Sequence, residues 1–277
     1  MLRNSHIHSV KNAEARMKAV KPIVALTLLV ALALGAYFLL TGPDRRDLHL
    51  SNATAAPIED APGDIAVFLK IENHDGPDRL IAAHAPAAGS TLIDGPASTL
   101  AIPGGSAPTL APDGAFIRLK SVSGSLSDGQ IIPITLEFEH AGNQSVQARL
   151  SAPTETGEAH DFGLFGIGGI CRVGEGEPAP RITLTTRPDG DGWVVEVLAQ
   201  DFEFTPDMAD GLHVPGTGHG HLYLNGLKLQ RLYAPTARIG PLPPGQHDVR
   251  VTLNTNDHRA YVVGDTPVTA NAIITSD

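Results

Sequence analysis

The chain has 277 residues, enough for one or two globular domains. Gly (29) and Pro (22) are frequent, aromatic residues make up 5%, and the formal net charge is −10. Residues 1–21 hold five basic residues and one acidic residue, so the remainder is more acidic than the total suggests. An acidic body argues against nucleic acid as a partner, and many turn formers without long amphipathic helical patterns favour β-structure.

The N-terminal part carries an uncharged apolar run, Ile23–Leu40. Its length is close to that needed to cross a bilayer, and the basic residues before it predict a cytoplasmic N-terminus. The sequence therefore predicts a single-pass inner-membrane protein with its C-terminal domains in the periplasm. The predicted parts are a cytoplasmic segment (1–21), a transmembrane anchor (22–41) and a tether (42–63). A cleaved signal peptide is the alternative.

A first β-domain is predicted for residues 64–152, where turn-forming residues separate short apolar runs. Several short strands at this spacing are typical of a β-sandwich. The predicted strands are Ile65–Glu72, Arg79–His84, Thr91–Asp94, Ala115–Val122, Ile131–Glu139 and Ser145–Leu150.

A Gly- and Pro-rich linker (153–180) and a second β-domain (181–277) are predicted to follow. Asn225-Gly226 between two apolar runs indicates a two-residue hairpin, which would place His221 opposite Gln230. The predicted strands include Arg181–Thr185, Trp193–Leu198, Asp248–Asn254 and Val268–Thr275. The fold class is therefore all-β: an N-terminal transmembrane helix and two β-sandwich domains of cupredoxin or immunoglobulin type.

The first domain contains a series of motifs that runs from Val67-Phe68-Leu69-Lys70 through Asp78-Arg79-Leu80-Ile81 to Leu126-Ser127-Asp128-Gly129. In order and spacing it resembles the periplasmic copper chaperone family called PCuAC. The resemblance implies a cupredoxin-like sandwich. The family binds Cu(I) with two His and two Met.

The ligand positions of that family are not kept in this chain. The first His position falls near Asp94, the segment of the first Met is deleted, and the closing His and Met positions fall on Phe116 and Arg118. No Met lies between residues 18 and 207. The resemblance therefore implies the fold of the first domain without its copper site.

Four histidines of the second domain are the candidate metal ligands: His219, His221, His258 and His213. Residues two apart in a strand share a face, so His219 and His221 would project together. Imidazole suits copper and zinc. We expect Asn256 and Asp257 to orient the imidazoles by hydrogen bonds.

The run around these histidines, His213-Val214-Pro215-Gly216-Thr217-Gly218-His219-Gly220-His221, resembles a His-rich C-terminal module of bacterial exported proteins. That resemblance implies no particular activity. The single cysteine, Cys171, allows no intrachain disulfide.

The sequence as a whole predicts a membrane-anchored, copper-binding and chaperone-like protein, not an enzyme. Copper, with zinc as the other possible ion, would be held by the second domain, and a membrane-associated acceptor protein would receive it. The alternative is a metal-free periplasmic interaction module in which the histidines are structural.

Overall fold

A computed structural model describes residues 32, 47–124, 126–151 and 169–277 of the chain. The predicted anchor (22–41) lies outside these residues, apart from Leu32. In the part of the chain that is described, no helix is both long and apolar enough to cross a membrane. This finding corrects the predicted single-pass inner-membrane localisation.

The described residues from 47 onward lie in one compact unit, which is all-β with sandwich-like sheets. Strands β1–β10 are Leu48–Pro57, Ile65–Asn73, Asp78–His84, Ser90–Asp94, Leu100–Ile102, Thr109–Leu110, Phe116–Lys120, Ile131–Phe138, Gly142–Leu150 and Ile170–Arg172. Strands β11–β20 are Arg181–Asp189, Gly192–Gln200, Glu203–Phe204, Thr217–Leu224, Leu227–Leu232, Thr236–Ile239, Gly245–Asn254, Ala260–Val263, Thr266–Pro267 and Thr269–Ser276. A short 3-10 helix covers Pro206–Met208.

The first sandwich is formed by two antiparallel sheets, which a short parallel pairing of β1 with β9 joins along one edge. One has the strand order β1-β2-β7-β4, and the other has the order β5-β3-β8-β9. Alternate residues of each strand face inward, as β8 shows with buried Ile132, Ile134, Leu136 and Phe138 between more exposed neighbours. Every predicted strand of this domain is present.

The second sandwich packs a sheet of order β15-β14-β17-β20 against the three-stranded sheet β11-β12-β16. Val249 and Val251 of β17 and Leu222 and Leu224 of β14 point into its core. The apolar residues whose alternation predicts β17 are therefore the ones whose side chains enter the core.

Two segments that the sequence analysis assigned to connections contain strands. In the predicted tether, β1 pairs with β2 from Leu48 to Pro57, with an irregularity between Ser51 and Thr54. In the predicted linker, β10 pairs in parallel with β18. Polar and small residues obscure the alternation of β1, and β10 is only three residues long with its partner β18 far along the chain.

The predicted hairpin at Asn225-Gly226 is present, with Leu224 paired to Leu227. Beyond Tyr223 the pairing slips by one residue, so His221 lies opposite Arg231 and not opposite Gln230. The slip is a β-bulge, in which Leu229 is the extra residue of β15.

Both sandwiches meet at this hairpin. Lys228 of β15 pairs with Thr109 of β6, and the amide of Ala115 donates to the carbonyl of Gly226 at 2.7 Å. Leu227 lies in the core of the first sandwich although it belongs to the second. The face of β14 that does not enter the second core is therefore turned toward the first domain.

Candidate metal centre

Strand β14 places two of the candidate histidines. It begins at Thr217, so His219 and His221 both lie within it and share the face opposite the second core. His219 is 1% exposed and His221 is 3% exposed. Gly218 allows this burial, because a Cβ there would come within 2.0 Å of the Asn254 carbonyl on β17.

A tight turn after β17 returns the third histidine to the same face. The amide of His258 donates to the carbonyl of Thr255, and the amide of Thr255 donates to the carbonyl of Arg259. His258 adopts a left-handed backbone conformation with φ of 69°, which is uncommon for a residue other than glycine. This turn joins β17 to β18 and directs the His258 ring over β14.

The three imidazoles converge. The Nε2 atoms of His219 and His221 are 3.0 Å apart, and one nitrogen from each of His219, His221 and His258 lies within 4.8 Å of the others. Two nitrogens bound to one ion at about 2.0–2.1 Å lie at most roughly 4.2 Å apart. The pair at 3.0 Å therefore fits a shared ion, whereas a separation of 4.8 Å would have to close by at least about 0.6 Å.

Burial keeps the two strand histidines neutral. It lowers the pKa of His219 to about 3, with further lowering by the charges of His221 and His258. Burial also lowers the pKa of His221 to about 4, although the hydrogen bond with Asp113 opposes the shift. Neutral imidazole is the form that ligates a metal, so both rings are ready for ligation at neutral pH.

His221 is oriented by a carboxylate from the other domain. Its Nδ1 lies 2.9 Å from Oδ2 of Asp113, which also accepts from Tyr223 Oη at 2.9 Å and from Lys228 Nζ at 2.6 Å. Burial acts to raise the pKa of Asp113, but the His221 hydrogen bond and the Lys228 charge outweigh it and hold that pKa well below its usual range. Asp113 is therefore an ionised acceptor.

The opposite side of the cluster is open. The side chain of His258 is 30% exposed, and its Nε2 contacts Oδ1 of the exposed Asp210. Tyr233 stands beside His219 with ring centroids 5.7 Å apart. Any ion would enter and leave past His258, since the other two histidines are buried.

Nothing within the described residues satisfies Nδ1 of His219, which is buried without a hydrogen-bond partner. Buried polar atoms of this kind are rare in folded proteins and call for a specific explanation. The ring is therefore held by packing and by its neighbouring histidines, and of its two nitrogens only Nε2 has a polar partner among the described residues.

The structure places the remaining sequence candidates elsewhere. His213 stays outside the three-histidine cluster, with its Nε2 3.6 Å from Sγ of Cys171. Asn256 bonds to Thr205 and Thr217, so the expectation that it orients an imidazole is wrong.

Asp257 likewise binds Arg259 and Thr255 and does not orient an imidazole. Asp113 and Asp210 contact the imidazoles instead. Sequence reasoning missed both, and the turn formers around Asp113 were the only local signal at that position.

In the first domain, an ion-pair network occupies the positions that the PCuAC resemblance assigns to copper ligands. Arg118 lies 3.3 Å from Asp94 and 2.9 Å from Asp64. A guanidinium held by two carboxylates leaves no soft ligand there and opposes the binding of a second cation.

Comparisons with known proteins concern mainly the first domain. The apo PCuAC domain from PmoF1 is 29% identical, and the match covers 40% of this chain and 98% of that one at a TM-score of 0.37. The copper-bound PCuAC domain from PmoF2 is 24% identical, with 38% and 93% covered and a TM-score of 0.35. A Cu(I)-bound protein from Deinococcus radiodurans is 24% identical, with 40% and 83% covered and a TM-score of 0.34.

No curated protein matches the chain. The comparisons do not confirm the resemblance of the second domain to a module of bacterial exported proteins. They confirm the resemblance of the first domain at the level of sequence: residues 48–150, less than half of the chain, match the family described as Putative lipoprotein LpqE-like.

Proposed function

We propose that this protein binds one copper ion through His219, His221 and His258 and passes it to an acceptor protein. The observation that carries the proposal is the convergence of three imidazoles on one face of β14, with ligand atoms within 4.8 Å of one another. Among the described residues, this is the one group of three or more His, Cys, Asp or Glu side chains with such spacing.

The electrostatics of the cluster support binding of a metal. His219 and His221 are neutral at neutral pH and offer free lone pairs, and the negative charge of Asp113 beside them is balanced by Lys228 at 2.6 Å. Three imidazoles with a carboxylate bonded to one of them are a common arrangement for copper or zinc. Copper is preferred here because the first domain resembles the PCuAC family in sequence.

Transfer of the ion is supported by the uneven burial of the three rings. His219 and His221 form a buried floor, whereas His258 is partly exposed and held by the exposed Asp210. An incoming ligand of an acceptor would replace His258 first, because this ring can move without opening the core. His213 is left out of the ligand set because it lies beside Cys171.

The test is copper loading of the purified full-length chain, followed by elemental analysis and competition with zinc. We expect about one copper per chain and no copper in the His219→Ala/His221→Ala double variant. The matched control is His74→Ala/His84→Ala, which also removes two histidines but from exposed positions of the first domain.

Two results would overturn the proposal. Wild-type protein that retains no copper from Cu(I) or from Cu(II) contradicts metal binding of this kind. A preference for zinc over copper contradicts the choice of ion. A wild type that binds no metal, together with a double variant that only loses thermal stability, would show that the histidines are structural. That result would favour the alternative of a metal-free interaction module.

A further inference from the structure

We infer that Asp113 of the first domain is a positioning residue for the metal centre of the second domain. The inference rests on the proposed function and adds a role for the LpqE-like domain. Asp113 lies in the loop between β6 and β7, whereas the histidine it contacts lies on β14. The centre is therefore built from both domains.

The hydrogen bond fixes the chemical form of His221. Oδ2 of Asp113 already accepts hydrogen bonds from Lys228 Nζ and Tyr223 Oη, so it is an acceptor toward His221 as well, and the proton between them belongs to Nδ1 of the imidazole. The lone pair of the neutral ring then resides on Nε2, which faces Nε2 of His219 at 3.0 Å. Asp113 thus selects the tautomer whose free nitrogen points to the proposed ion.

Two further donors hold the carboxylate in place. Lys228 Nζ and Tyr223 Oη both bind the same Oδ2 atom, at 2.6 and 2.9 Å. Tyr223 is itself held by Arg250, whose guanidinium lies 4.3 Å from the ring centroid. Asp113 therefore has little freedom to rotate away from His221.

The position of Asp113 depends on close contact between a turn of each domain. A Cβ on Gly114 would come within 2.5 Å of the Gly226 carbonyl, and a Cβ on Gly226 would come within 2.5 Å of Pro96. Only glycine fits at both points, and the 2.7 Å bond from Ala115 to Gly226 fastens them. The contact between the two turns thus places the Asp113 carboxylate beside His221.

This arrangement gives the first domain a role in copper binding, although Asp94, Phe116 and Arg118 stand where the PCuAC family has its copper ligands. It holds the second-domain site in its binding form through Asp113. The first domain is then required for full copper affinity, although it coordinates no copper.

The test compares wild type with Asp113→Asn and Asp113→Glu in the full-length chain. We expect Asp113→Asn to lower copper affinity about 10- to 100-fold, and Asp113→Glu to restore part of the loss because the carboxylate returns. The control is Asp78→Asn. That residue is a buried first-domain carboxylate that accepts from the amides of Arg79, His140 and Ala141 and not from His219, His221 or His258, so its substitution reports the general effect of perturbing a buried first-domain carboxylate.

A second readout separates positioning from general stability and needs no metal. Nitrogen-15 NMR of the imidazole rings in the metal-free chain reports the tautomer of His221. We expect the Nδ1–H form in wild type and in Asp78→Asn, and a shift toward the Nε2–H form in Asp113→Asn.

The outcomes distinguish this inference from the proposed function. If wild type binds copper and Asp113→Asn binds it equally well with an unchanged tautomer, the inference is overturned and the proposed function stands. If wild type binds no copper, the proposed function is overturned. An Nε2–H tautomer in wild type overturns the inference whether or not copper binds.

Discussion

His219 and His221 face each other on β14 with their Nε2 atoms 3.0 Å apart, and both rings are buried. Two neutral imidazoles at this distance either share one hydrogen bond or present lone pairs to one ion. Bonds of about 2.05 Å would place the two nitrogens at an angle of roughly 95° around that ion. This geometry leaves room for His258 on the open side.

The partly exposed His258 and the buried His219 should respond differently to substitution. His258→Ala should weaken copper binding by about tenfold or more and change the unfolding free energy by only about 0.5 kcal/mol. His219→Ala should abolish copper binding and also destabilise the chain by about 1–3 kcal/mol. Copper titration and denaturant unfolding measure the two effects.

His213→Ala provides the control for that comparison, because His213 contacts Cys171 and not the cluster. It should leave copper affinity unchanged. A loss of copper in this variant would return His213 to the ligand set.

Copper should stabilise the folded chain by mass action. At a free copper concentration 100 times the dissociation constant, the gain is about 2.7 kcal/mol. A rise in Tm on loading, reversed by a chelator, is the expected observation. The His219→Ala/His221→Ala variant should show no copper-dependent rise, and an equal rise there would point to binding elsewhere.

Gly218 should be intolerant of any side chain. Its φ is 155°, and a Cβ would come within 2.0 Å of the Asn254 carbonyl, so Gly218→Ala must push β14 away from β17. We expect a loss of more than about 2 kcal/mol in stability together with weaker copper binding. Gly245→Ala is the control, because Gly245 has a φ of 132° but nothing within 4 Å of the added Cβ.

Removal of the ion-pair network of the first domain should not change copper binding. Arg118 binds Asp64 and Asp94, where the PCuAC resemblance would place ligands. An Asp94→Ala/Arg118→Ala variant should retain a copper-to-protein ratio of about one, measured by elemental analysis after loading. A fall in this ratio would show that the first domain holds the metal.

His247 should make the metal-free chain less stable at acidic pH. Burial lowers the pKa of His247, although its hydrogen bond to the Pro243 carbonyl at 2.8 Å opposes the shift. Below the ordinary value of 6.5, the unfolded chain binds a proton that the folded chain does not, so the unfolding free energy falls as pH falls.

His247→Gln cannot take up that proton. The stability difference between wild type and this variant should therefore shrink as pH falls below about 6.5. Urea unfolding at several pH values in the presence of a chelator measures this difference. A difference that is constant with pH would contradict the lowered pKa of His247.

Local sequence pattern was sufficient for the strands that contribute alternate residues to a core. β8 and β17 follow the two-residue period, and Asn225-Gly226 identifies the hairpin because few sequences favour its backbone conformation. β1 was not predicted because it carries no clear alternation, and β10 was not predicted because it is short and pairs with the distant β18.

For the candidate site, sequence alone determined that His219 and His221 share a face, because side chains in a strand repeat every two residues. Only the tertiary structure decided their partners. Asp113 comes from 108 residues away through the docking of two turns, and His258 returns through a turn with a left-handed residue. The tertiary structure also places His213 beside Cys171 and not in the cluster. A strand's period is a local property of the backbone, whereas contacts between domains depend on how whole surfaces fit together.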